Sequence, residues 1–203
     1  WTTQIYNTKF WSMEDLIPKF IECFTALRSS DGEAISEASK MICELSSQKN
    51  AIEALTQIIN SHEESFFRFQ AANALKLSLS GYDKNSFNPE QIITTLLMHL
   101  SEENDLITQT FLTYIIGTKL INDKNINLIV EFSQSALESN DKKIIHSAVL
   151  LLNSSYDGNL KREDVNDEFI QFINQLTATA IEFKDVQITV DTLDLFFSFM
   201  NKF

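Results

Sequence analysis

The sequence predicts an all-α chain folded as an α-solenoid, a superhelix of about five two-helix repeats with ten antiparallel-paired helices. Three observations carry that reading. Breakers are scarce: the 203 residues include only 4 Gly and 2 Pro, too few for the turns of a β-sandwich or the glycine loops of a nucleotide fold. A second signal is a template that recurs five times. It begins with an acid, places apolar or small residues three and seven positions on, and ends with an apolar pair at ten and eleven. The third is an amphipathic segment ahead of each copy, so that every unit supplies two helices.

Residues 1–12, "WTTQIYNTKFWS", read as an N-terminal extension or added segment ahead of Met13. They lack the basic start and apolar stretch of a signal peptide. The first repeat covers about 13–47, with "MEDLIPKFIECFTALRSS" as helix A. Its helix B follows the template from Asp31 through Ala34, Ala38, Met41 and Ile42. In the second, about 50–80, "NAIEALTQIINSH" precedes Glu64, Phe67, Ala71, Ala74 and Leu75. The third, about 89–121, opens at Pro89, a residue suited to a first helical turn. It continues with Asp105, Thr108, Leu112, Ile115 and Ile116. The fourth, about 125–155, carries Asp141, Ile144, Ala148, Leu151 and Leu152, and the fifth, about 164–202, Asp185, Ile188, Thr192, Leu195 and Phe196. The copies at Asp105 and Asp185 follow the template less closely. "SGYDKNS" (80–86) and "SSYDGN" (154–159) read as breaks between repeats, with no ordinary domain boundary over 13–203.

The template has a physical basis. Positions three, seven, ten and eleven share one helix face at 3.6 residues per turn. A leading carboxylate accepts from the free N–H groups of the first turn and complements the helix dipole. Small residues at position seven let a neighbouring helix approach. Each hairpin exposes apolar surface that only its neighbour covers, which is why such units stack.

A net charge of −12, with 13 Lys to 3 Arg, repels a phosphate backbone and excludes direct nucleic-acid binding as the leading function. It suits basic protein partners. No apolar run approaches the ~18 residues of a membrane span. Cys23 and Cys43 each lie in an apolar helical pattern and read as buried free thiols of a reducing compartment; the sequence leaves a disulfide between them open. The histidines at 62, 99 and 146 lack zinc-site spacing. "GTK" (117–119) lacks the glycine lead and Lys-Ser/Thr order of a phosphate loop. The Asn153-Ser-Ser sequon falls mid-helix. No catalytic constellation emerges, so neither an enzyme nor a cofactor is expected.

An A helix, an acidic turn and then "FRFQAANAL" (67–75) resemble the HEAT repeat. Residues 13 to about 82 are similar to the N-terminal region of importin-β-type karyopherins, through "EAISEASKMICEL" as second helix and "AANALK" as the Ala-rich helix ending in Leu-Lys. Two features depart from the family: one B helix in five carries the HEAT arginine, and Tyr82 stands where the family often has Trp. The resemblance implies a nuclear transport receptor of cytoplasm, nucleus and nuclear pore that binds the GTP form of Ran, protein cargo and FG-nucleoporins, with this chain as its N-terminal portion. A HEAT scaffold subunit, such as a phosphatase regulatory subunit, is the alternative.

In the karyopherins the B helices of the first repeats meet Ran. That implies a partner-facing strip of Glu37, Lys40 and Glu44 in the first B helix, and Phe66, Phe69, Gln70, Asn73 and Lys76 in the second. Tyr114 and His146 take the same part in the third and fourth. Each also has a plainer reading as a solvated face. Phe67 falls on the core stripe, whereas Phe66 and Phe69 point elsewhere, toward inter-repeat packing or a partner. Arg68 is expected to bond an acid of an adjacent repeat.

Overall fold

The computed structural model describes residues 11–81, 87–122, 124–158 and 167–202. The described residues form ten α-helices and no strand. They divide into two compact units, Trp1–Asp83 and Lys84–Phe203. The first unit contains α1 (Met13–Ala26), α2 (Gly32–Ser46), α3 (Ala51–Ser61) and α4 (Ser65–Gly81). The second contains α5 (Pro89–Glu102), α6 (Leu106–Ile115), α7 (Asn127–Ser139), α8 (Lys142–Gly158), α9 (Asp167–Glu182) and α10 (Val186–Lys202). A single π turn, Ile116–Leu120, extends α6. The division falls at the turn-rich stretch 80–86, where the sequence predicts only a gap between repeats. Tyr82 and the rest of 82–86 lie outside the described residues, as do 1–10 and 159–166.

Packing inside each unit follows the repeat pattern. In the first, α1 pairs with α2 and α3 with α4, while α1 also packs on α3 and α2 on α4. In the second, the pairs are α5–α6, α7–α8 and α9–α10. The A helices pack as α5–α7–α9 and the B helices as α6–α8–α10. This is a helical, repeat-like fold of the HEAT kind, with one layer of A helices and one of B helices in each unit.

The leading acids cap as expected, with one variation. Asp31 accepts from Glu33 N at 2.9 Å, Asp105 from Thr108 N at 2.8 Å, Asp141 from Lys143 N at 2.8 Å and Asp185 from Gln187 N at 3.0 Å. Each satisfies a first-turn N–H that has no partner within its helix. Glu64, one methylene longer, instead reaches back to the first repeat. Its carboxylate accepts from Arg28 Nη2 at 2.6 Å. Asn88 caps α5 ahead of Pro89.

The first unit centres on Leu16, Phe20, Phe24, Leu55, Ile59 and Leu75, all fully buried. Trp11 and Ser12 join it. Ser12 forms a capping box with Asp15, Trp11 O accepts from Asn50 Nδ2 at 3.0 Å, and Lys19 sits 4.2 Å above the Trp11 ring. The second unit is built around α8, buried without interruption from Ile145 to Leu152. Helices α5, α6, α7, α9 and α10 all touch it.

Two core expectations in the first B helix are corrected. Met41 is exposed, and it lines a groove beside α1 with Lys19, Glu22 and Cys23. Cys43, one position past the apolar pair, has turned out of the stripe to the exposed side. Cys23 is buried, and both thiols are free. Burial, helped by the Glu22 carboxylate, raises the Cys23 pKa and so holds it as the thiol.

Candidate protein-interaction surface

In the first unit the B helices α2 and α4 pack on each other, and each keeps an outward arc. On α2 the buried stripe is Ala38, Ile42 and Leu45. Glu37, Lys40 and Glu44 stand on the opposite side, all exposed. Glu37 also lines the groove shared with α1. On α4 the core takes Phe67, Ala71, Ala74 and Leu75, leaving Gln70 and Asn73 half-buried on the outward arc. The Asn73 amide donates to Phe69 O at 3.2 Å. Phe69 and Lys76, also half-buried, lie at the edge of that arc. Leu77 belongs with them at 50% exposure. Sequence reasoning missed it, although it occupies the same template position in α4 that Glu44 holds in α2.

The aromatic cluster at the start of α4 is an anchor between repeats. Arg28, from the turn after α1, lies over the rings of Phe66 and Phe67 at 4.3 and 4.9 Å. It also forms the ion pair with Glu64. Phe66 meets Phe67 edge-on at 5.5 Å, and the His62 ring stacks on Phe67 at 4.3 Å. Phe66 is therefore packed against the preceding repeat, with part of its ring still reachable. An arginine bond to an acid of the adjacent repeat is made by Arg28. Arg68 Nη1 turns to the carbonyls of His62 and Glu63 at 3.0 and 2.6 Å, holding the A-to-B turn of its own repeat.

The second unit treats its two expected residues differently. Tyr114 is exposed on α6, and its ring stacks on Phe111 at 6.2 Å. Ile107, 67% exposed, shares that arc and was not singled out from sequence. His146 does not stand on an open strip. It is 6% exposed, and its Nε2 lies 2.7 Å from Asp191 Oδ2 on α10. The reason is the enclosure of α8: a position that faces solvent in α2 faces the next B helix here. Asn153 is likewise turned to α10, its Nδ2 donating to Asp191 O at 2.8 Å. The sequon nitrogen is thus already committed.

A groove of about 540 Å³ runs along the N-terminal ends of α6, α8 and α10, lined by Asn104, Gln109, Lys143, His146 and Gln187 among others. Lys142 Nζ pairs with Asp185 at 2.6 Å, and Gln109 Nε2 donates to Ser147 Oγ at 2.5 Å. The Lys142 hydrogen bond, followed by that from Ile188 N, holds the Asp185 pKa below the ordinary carboxylate value. His99 Nε2 meets the buried Glu103 carboxylate at 3.0 Å, whose other oxygen accepts from Asp105 N at 2.8 Å. These bonds tie one turn or repeat to the next. Among the described residues no group of three His, Cys, Asp or Glu side chains is placed to hold a metal ion. No described helix is long and apolar enough to cross a membrane.

Compared with protein-family models, curated proteins and solved structures, the chain matches none.

Proposed function

We propose that the chain is a protein-binding module, the Ran-facing region of a karyopherin-like nuclear transport receptor. The observation that carries this reading is the paired outward arc of α2 and α4. Glu37, Lys40 and Glu44 stand on one helix, and Gln70, Asn73 and Leu77 on the other. Rigid helices that present polar side chains around one exposed apolar residue suit a protein interface with a polar rim. The net charge of −12 favours a basic partner and fast encounter with it. In this reading the receptor exchanges cargo according to the nucleotide on Ran, moves between cytoplasm and nucleus, and meets FG-nucleoporins at the pore.

The test is retention of Ran on the immobilised chain. The GTP form should be held and the GDP form released, and Gln70→Ala with Asn73→Ala should weaken retention while the helical circular dichroism stays unchanged. Equal retention of both forms, or of neither, would count against the reading.

A scaffold function is the second reading. The ion pairs Arg28–Glu64 and Lys142–Asp185, each joining successive repeats, resemble the ladder that stiffens a platform for other subunits. Nucleotide-independent capture of a multisubunit enzyme would favour it.

A further inference from the structure

We infer that the groove at the N-terminal ends of α6, α8 and α10 is a binding site for an extended, arginine-bearing segment of a partner protein. Two residues of its wall point to a ligand. Gln109 and His146 are 3 and 6% exposed, and each leaves one acceptor unused. Gln109 Nε2 donates to Ser147 Oγ at 2.5 Å and to Lys143 O at 3.5 Å, whereas nothing among the described residues donates to its Oε1. His146 Nε2 lies 2.7 Å from Asp191 Oδ2. A carboxylate only accepts, so Nε2 carries the proton and Nδ1 of the neutral ring is a lone-pair acceptor. It too has no donor among the described residues. Neither atom is sealed from solvent as Ser46 Oγ and Ser133 Oγ are. A deeply set acceptor without a donor is costly, and a ligand in the groove supplies one.

The charge around these acceptors selects the ligand. Glu103, Asp141 and Asp185 line the groove and Asp191 backs it through His146, against Lys142 and Lys143. The helix starts already have their anions, because Asp105, Asp141 and Asp185 each accept from a first-turn N–H. Lys142 pairs with Asp185 at the start of α10, and Lys143 Nζ bonds Asn104 Oδ1 at 3.2 Å ahead of α6. Neither lysine neutralises Asp141. Its Oδ1 caps α8, and its Oδ2 accepts from no described group. Spare acceptors beside a spare carboxylate match an extended peptide, with backbone N–H groups for Gln109 and His146 and a cationic side chain for Asp141. Guanidinium suits the site better than ammonium, because its planar fork carries five donors and sheds water more readily. It also pairs with a carboxylate through two parallel bonds. At about 540 Å³ the groove has room for such a side chain and the main chain beside it.

None of these residues belongs to the arc on α2 and α4, so this site can fail while the transport reading stands, and the reverse. The probes are capped Gly-Arg-Gly and its lysine, citrulline and glutamate counterparts, titrated into the full chain. Salt at about 0.15 M screens general attraction to the acidic surface beyond about 8 Å. Binding is followed by NMR at the Gln109 side-chain amide and the His146 ring. The arginine peptide should give saturable shifts at both, with the lysine peptide at least about 5-fold weaker and the uncharged citrulline peptide at least about 10-fold weaker. Asp141→Asn keeps a good N-cap and should weaken arginine binding about 5- to 10-fold. Gln109→Met should weaken it about 10-fold with helical circular dichroism retained; if that variant loses helix, Asp141→Asn decides alone. Glu138→Gln, at an exposed acid on α7, should leave binding as it is. Absence of a saturable shift overturns the inference. So does binding that treats arginine like lysine or citrulline, that prefers glutamate, or that is unchanged by Asp141→Asn.

Discussion

Gly117 shows how one residue fixes a junction. A Cβ built there would lie 2.6 Å from Ser155 N and 2.8 Å from the carbonyl carbon of Ser154. Those are backbone atoms, and they cannot rotate away. Gly117→Ala should therefore destabilise the chain by about 1–3 kcal/mol, the usual cost of overpacking, read as a shifted urea midpoint with unchanged slope. The "GTK" triplet thus has a packing explanation: its glycine lets the π turn touch α8. Asp185 gives a second prediction. Its pKa is lowered in the folded state, first by the Lys142 hydrogen bond. Its contribution to stability is thus present above the ordinary carboxylate pKa and lost as pH falls through the lower folded value. In Lys142→Met the Asp185 pKa, followed by NMR titration, should rise toward the ordinary value, and acid unfolding should begin at higher pH. An unmoved titration would show that the lysine is not the cause.

At the scale of elements, α8 and α2 show what the sequence could and could not disclose. Both match the template, and the buried positions Ala38, Ile42, Ala148, Leu151 and Leu152 follow from helical spacing alone. What spacing omits is how many neighbours a helix has. Helix α8 is surrounded, so Leu150 and His146 are buried beside the template positions. Helix α2 is covered on one side, so Met41 is open although it sits on the template. Substitutions should follow this difference. Leu151→Ala should cost about 2–5 kcal/mol, as filled-core truncations do. Met41→Ala should change stability by no more than about 0.5 kcal/mol. Thermal melts of the two variants would check both. The candidate strip was legible for the same reason and to the same extent. Glu37, Lys40, Glu44, Gln70 and Asn73 follow from helical phase, whereas Leu77 and Ile107 do not, because an apolar residue on an outward arc looks like core until its neighbours are known.

Across the whole molecule, charge governs how partners meet it. A chain of net charge −12 attracts a basic partner over distances that salt shortens, the screening length falling from about 10 Å at 0.1 M to about 3 Å at 1 M. The association rate with such a partner, followed by stopped flow, should drop at least about 10-fold over that range. Dissociation should change far less. A salt-insensitive rate would mean that contact is made through the apolar positions alone. The enclosure of α8 also has a consequence in time. Its amides from Ile145 to Leu152 have no route to deuterium except through opening of the helices around them, so their exchange should be among the slowest in the chain. The outward turns of α2 need only fray. Hydrogen exchange followed by mass spectrometry would then rank the helices by lifetime, with α8 the last to take up label.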